Sequence, residues 1–302
     1  MWFKNLIVYR LESGFPYTAE TLEEALGAKP FTPCPSHALS STGWTPPMGK
    51  LSEMLVHAGA GAMMICQKTE ERILPASVIR DFVSERVEAI ETAEMRKLRK
   101  AERDAIRDEV VFDLTPKAFT RASNTWALIL PQQGLLIIDA ASAKRADSFT
   151  TLLHKTVNDL PLRLIRPRHA PADRLTQWLE TPANLPAEIT IGNECELKEP
   201  GDEGGVVRCR RLDLVSDEVR SHLEAGRAVV KLGLDWQEKL GFVLAEDFTI
   251  KRLKFSDQLL ETAAEQGEAD AAARFDADFT LMAMELERFL PRLIDLFGGE
   301  AD

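Results

Sequence analysis

Arg96, Lys97, Arg99, Lys100, Arg103 and Arg107 place six cations within twelve residues, opposed only by Glu102 and Asp104. On a continuous helix Arg96, Lys100, Arg103 and Arg107 fall at intervals of four, three and four, and so share one face. Two chemistries suit such a row. It is a track for the phosphates of a polyanion, met once per turn, or it is a solvated helix face laced with Glu and Lys. The stretch itself leaves both open.

Other candidate chemistry is sparse. Gly43–Lys50, GWTPPMGK, superficially resembles a phosphate loop, but it has five residues between its glycines, and Leu51 stands where Ser or Thr would hold magnesium. Pro46 and Pro47 also lack the N–H groups that cradle phosphate. HAGAGAMM, around Gly59 and Gly61, has no third glycine at dinucleotide-binding spacing, so close strand packing is expected. Cys34 and His37 could seed a metal or thiol site with Cys66, against the plainer reading of a buried thiol and a surface imidazole. His57, His154, His169 and His222 stand singly. Asp276 and Asp278 are paired acids that a helix would point about 200° apart, a poor general acid and base. Phe275 and Phe279 read as core.

Helices and strands must position these groups. Pro75 suits a first helical turn, and no further Pro or Gly follows until Pro116. One helix of that length would run on the order of 60 Å. A break near Met95 to Arg99, giving a projecting helical hairpin, is therefore favoured. Upstream, Trp2–Leu11 reads as a strand, Thr18–Leu26 as a short helix, 30–50 as an ordered loop or irregular strand region, and Met54–Gln67 as one or two strands. Downstream the pattern predicts strands at Trp126–Leu130 and Leu135–Asp139 joined by a PQQG turn, then helices at 142–158 and 171–180. Strands follow at Glu188–Leu197 and Val206–Leu212, a helix at 216–225, and strands at Ala228–Trp236, Lys239–Ala245 and Ile250–Phe255. Alternation in the last puts Lys251, Leu253 and Phe255 on one face and Arg252 with Lys254 on the other. Helices 257–265 and 270–297 close the chain, the latter strongly amphipathic.

At 302 residues the chain is long enough for about two domains. No uncharged apolar run approaches the ~20 residues that span a bilayer. The four cysteines lie far apart without CxxC, so reduced, mostly buried thiols are expected. The net charge of −11 argues against a nucleic-acid partner unless charge is segregated. From Ser256 onward twelve acids face three bases, so nine of the eleven surplus charges lie there. A local basic surface is compatible with this, because exposed charges act over about 10 Å at 0.1 M salt.

WFKNLIVYRL, FTPC followed by GWTPPMG, ILPASVI, DEV…LTPKAFTR, GLLIIDAASAKRAD, KLGLDW, IKRLKF and RFDADFTLM occur in that order from residue 2 to 284. Together they resemble the recombination-associated RdgC family of bacteria. FTPCPSHA departs from the pattern, with Pro35 after the cysteine. The resemblance implies an α+β, non-enzymatic protein without cofactors that binds double-stranded DNA irrespective of sequence. It further implies a ring-shaped homodimer around the duplex, limiting access of the RecA recombinase, in the cytoplasm and on the nucleoid. By position it assigns 1–74 and 119–165 to a central domain, 75–118 to a helical tip and 166–302 to a base domain. Phe119 becomes a dimer-interface candidate. Arg96, Lys97, Arg99, Lys100, Lys117, Arg121, Lys231, Arg252 and Lys254 become candidates for the channel wall. Two other readings stand beside the clamp: a protein-interaction adaptor using the basic arm and acidic tail, and a nuclease, which would need carboxylates clustered around magnesium.

Overall fold

The apolar spacing of the sequence resolves into eight α-helices and twelve strands in a computed structural model, which describes residues 1–157, 160–201, 204–267 and 270–301. The predicted helix 142–158 therefore ends, at Asn158, outside the described residues. The chain divides into two units. The first comprises Met1–Leu26, Pro46–Cys66 and Thr125–Asp302, the second Gly27–Thr45 and Gln67–Asn124. The strands β4 (Ala62–Arg72) and β5 (Thr120–Leu130) each give residues to both.

The first unit is built on an antiparallel sheet. The elements are β1 (Leu6–Leu11), β3 (Val56–Gly59), β6 (Leu135–Asp139), β7 (Leu162–Leu164), β8 (Ile189–Lys198), β9 (Val206–Arg210), β10 (Ala228–Trp236), β11 (Leu240–Ala245) and β12 (Ile250–Phe255). Their order is β3-β4-β5-β6-β1-β12-β11-β10-β8-β9, with β7 also on β1. The strand β7, LRL, is too short to carry a readable alternation and was not expected. Helix α8 (Ala271–Leu296) lays Phe279, Met282, Leu286, Phe289, Leu290 and Leu293 into one core with Leu6, Val8, Leu128, Leu232, Leu234, Leu244 and Leu253. Alternate residues on the central strands, Ile7, Ile129, Leu136 and Ile138, are buried too, so both faces are covered there. Helix α4 (Ala143–His154) covers the second face: burial and then the charge of its Asp147 push the Tyr9 phenol upward. The shorter helices α1 (Ala19–Gly27), α5 (Pro171–Glu180), α6 (Asp217–Glu224) and α7 (Asp257–Gln266) match their expected positions within two residues.

HAGAGAMM becomes the β3–β4 hairpin. Ala60 and Gly61 both have positive φ (47° and 75°), the geometry a two-residue turn demands. Gly59 backs onto Phe279, whose ring an added Cβ would meet at 3.3 Å. Close packing is thus the outcome, as expected. The paired acids also diverge: Asp276 faces His57 at 3.1 Å, and Asp278 pairs the Met1 amino group.

The second unit holds β2 (Ser40–Thr45), which pairs β4, and the helices α2 (Ala76–Glu94) and α3 (Lys100–Leu114). Met95 adopts the left-handed conformation (φ 53°, ψ 33°) and ends α2, so the arm is a hairpin with its break where length alone suggested. Ile79, Val83, Val87 and Ile90 pack on Leu98, Ile106 and Val110, while Val78 and Phe82, on the same helix, stay exposed. Gly43 lets β2 touch the preceding loop: an added Cβ would lie 2.5 Å from Phe31 Cα. Cys34 donates from Sγ to Ala38 O (3.1 Å), and His37 stacks on Phe112 at 4.6 Å. These are packing roles.

Candidate nucleic-acid interface

The break at Met95 removes Arg96 from the row that a continuous helix would have formed. Lys100, Arg103 and Arg107 remain together on α3; Arg96 turns onto Glu94 (2.7 Å) and Glu102 (2.5 Å). Glu91, only 11% exposed, accepts from Lys97 Nζ (2.6 Å), Arg103 Nη2 (2.8 Å) and the Leu98 N–H (2.9 Å). The Lys97 ammonium, with the Leu98 N–H and Arg103, drives the Glu91 carboxyl down to about 2. Arg96, then the Arg99 N–H, does the same to Glu102. Three of the six clustered cations thus tie the hairpin's end together. Arg99, Lys100 and Arg107 are exposed and have no carboxylate within 4.0 Å among the described residues.

Phe119, 85% exposed, is held by its backbone, not its ring: its carbonyl accepts from the Ile73 N–H at 2.8 Å. Arg72 supports the same edge, its side chain bonding Ala118 O (3.0 Å) and its N–H bonding Leu39 O (2.8 Å). Leu39 and Ile73 are about half exposed, so three apolar side chains project from adjoining backbone. Lys117 and Arg121 flank them, exposed and without a carboxylate partner among the described residues. Large apolar side chains clustered in water mark a surface that meets something.

In the first unit, one face of β9-β8-β10-β11-β12 carries a shallow groove of about 980 Å³. Its cations are Arg210, Arg211, Arg252 and Lys254, and its acids are Glu194, Asp213 and Asp235. Gly192, Gly233 and Gly241 form part of its lining; Gly192 lies so close to Gly233 that a Cβ would meet that residue's carbonyl at 3.1 Å. The missing side chains keep the centre of this face low, so an extended ligand could reach the cations. Two of the arginines have strained backbone: Arg211 at φ 55° and Arg252 at φ 53°. Left-handed conformations at non-glycine residues concentrate at functional positions.

The bend at Arg252 changes the expected facing of β12. The register against β11 shifts between Gly241 and Val243, pairing Lys251 with Val243 and Ile250 with Leu244. Ile250 and Leu253 both enter the core, and Lys251 leaves the face of Leu253 and Phe255 for the opposite one. Lys254 is exposed and unpaired among the described residues; Arg252 reaches Glu194 (2.8 Å). Lys231 and Arg208 share Glu196, each at 2.9 Å. Burial would raise the Glu196 carboxyl, but these two cations outweigh it and leave it below the usual range. Arg208, Arg210 and Arg211 were not singled out from the sequence. The signal was present in VVRCRR, where a predicted strand alternates arginine with apolar residues.

Among the described residues no three His, Cys, Asp or Glu side chains are grouped to hold a metal ion. Nor, among them, is any helix long and apolar enough to cross a membrane.

Residues 1–300 match the family model described as "Putative exonuclease, RdgC". The chain is 44% identical over 300 residues to the recombination-associated protein RdgC of Aeromonas hydrophila, covering 99% of each. It is 43% identical over 302 residues to that of Proteus mirabilis, covering both completely. Against that of Pseudomonas aeruginosa the identity is 44% over 301 residues, 99% of this chain and 98% of the relative.

Proposed function

The chain belongs to the RdgC family of recombination-associated proteins, and from that premise we propose that it binds double-stranded DNA without reading its sequence, as a ring-shaped homodimer enclosing the duplex. The observation that carries the reading is the shallow, glycine-lined sheet face bearing Arg210, Arg211, Arg252 and Lys254 in a chain of net charge −11. Arginine and lysine on a broad, low face contact phosphates, which position a duplex but carry no base identity. Arg99, Lys100, Lys117 and Arg121 add to the phosphate-contacting set. Phe119, with Leu39 and Ile73, supplies one contact between protomers, since burying such a group removes apolar surface from water. A second contact lies in the C-terminal half, closing the ring. A ring that occupies duplex DNA limits the access of RecA, and this is how the protein acts in recombination in the cytoplasm and on the nucleoid.

The protein works by binding and needs neither cofactor nor catalysis. The family description names an exonuclease, and a metal-dependent one would require carboxylates gathered around the ion. Incubating end-labelled duplex with the protein and magnesium decides between the two: intact DNA is expected, and progressive shortening would make the protein a nuclease. For the clamp itself, fluorescence anisotropy on random-sequence duplex is measured across salt concentrations. Log affinity is expected to fall linearly with log salt, by about 0.9 per phosphate neutralised. Affinity indifferent to salt, or confined to one sequence, would end the reading.

A further inference from the structure

Cys195 and Cys209 are direct partners across β8 and β9. Both thiols are free, and each lies against the core side of the strand pair, Cys195 buried and Cys209 partly so. Burial, with the Cys209 thiol beside it, pushes the Cys195 thiol up to about 12. In the same register the Glu199 N–H donates to Gly205 O at 3.0 Å. Hydrogen-bonded pairs recur at every second position of an antiparallel ladder, which makes Cys195 and Cys209 such a pair, with Cα atoms about 5.5 Å apart. That separation falls inside the roughly 4.4–6.8 Å window of disulfides.

We infer that Cys195 and Cys209 form a reversible intrachain disulfide when the protein meets a hydroperoxide. Cys209 is the more accessible sulfur and attacks first. Its Sγ displaces alkoxide from the peroxide oxygen, the O–O bond breaks, and the thiol proton leaves with the alkoxide as alcohol, giving Cys209 sulfenic acid. Cys195 Sγ then displaces the hydroxyl, which leaves with the Cys195 proton as water. Two thiols are oxidised by two electrons and one hydroperoxide is reduced to alcohol. Directly opposed Cβ atoms lie about 5 Å apart in a ladder, beyond the roughly 3.5–4.5 Å of an unstrained bridge, so closure must draw the strands together. A strained disulfide is easily reduced, which makes the bond a switch and not a permanent staple. Strand β9 can make this movement because it ends the sheet order, with β8 its one strand neighbour among the described residues. Oxidation would pin the strand that presents Arg208 and Arg210 on its opposite face.

The full-length protein is treated with tert-butyl hydroperoxide, alkylated and digested with trypsin without reduction. Cleavage after Lys198 and Arg208 places the two cysteines on separate peptides, so the bond appears as one joined species that dithiothreitol divides. An equimolar mixture of unlabelled and ¹⁵N-labelled protein is expected to give only uniformly labelled or unlabelled joined peptides. Amide exchange across 206–210 is expected to slow at least several-fold after oxidation, and to stay at the reduced rate in C209S. Mixed-isotope joined peptides, or Cys209 advancing to sulfinic acid beside a free Cys195, would overturn the inference. These readouts require no DNA and stand apart from the clamp reading.

Discussion

Glu91 on α2 and Arg103 on α3 meet 2.8 Å apart, and the same carboxylate holds Lys97 and the Leu98 N–H of the connection between them. One nearly buried acid therefore gathers two members of a cation cluster that the sequence displays as a row. Among the described residues three other members, Arg99, Lys100 and Arg107, have no carboxylate within 4.0 Å.

This arrangement makes the hairpin acid-sensitive. Glu91 and Glu102 are both held at about 2, below their ordinary 4.5, so their contribution is fully present above about 4.5 and lost as pH falls towards 2. Hydrogen exchange of α2 and α3 amides, followed from pH 5 downward, should show the hairpin opening across that window. In the double variant E91Q/E102Q the hairpin should be looser at pH 7 and its opening nearly independent of pH over the same interval.

Charge reversal separates the two kinds of cation. R99E/K100E and R210E/K254E should each lower affinity for all duplex sequences about equally and flatten the salt dependence by about 0.9 for every phosphate no longer neutralised. R96A should act mainly through the hairpin, seen as faster amide exchange around Met95–Arg99 with a smaller loss of binding. A preference for one sequence appearing in any of these variants would indicate base readout instead.

Phe119→Ala should leave folding stability within about 0.5 kcal/mol, because the ring is solvent-exposed and packs little within its own chain. Sedimentation equilibrium should nevertheless report weaker self-association. Unchanged association would remove Phe119 from the interface.

Phe289→Ala should cost about 3–5 kcal/mol, since the ring is fully buried against Trp236 (5.3 Å) and Phe242 (4.9 Å) and truncation opens a cavity. Denaturant unfolding followed by tryptophan fluorescence measures this directly, with the midpoint moving and the slope unchanged.

Local rules settled much of the framework. Helix α5, the LLIID strand, the PQQG turn and the long amphipathic α8 were legible because their apolar residues repeat at 3.6 or 2.0 and their ends carry proline, glycine or a capping residue. Even the break in the arm could be placed from length. The bend at Arg252 is less plain: the adjacent Lys251 and Arg252 interrupt the alternation of IKRLKF, but that does not say which way each of them faces. Only pairing with β11 forces the register shift that sends Ile250 and Leu253 inward together and turns Lys251 outward. Arg210 and Arg211 likewise came to share one groove with Arg252 and Lys254 only when β8 and β10 to β12 lay beside β9. Charge and periodicity act over a few residues of chain and are written in the sequence. Which charges are neutralised, and which share a surface, depends on partners tens of residues away, as with Arg252 and Glu194 or Lys231 and Glu196, and folding alone decides them.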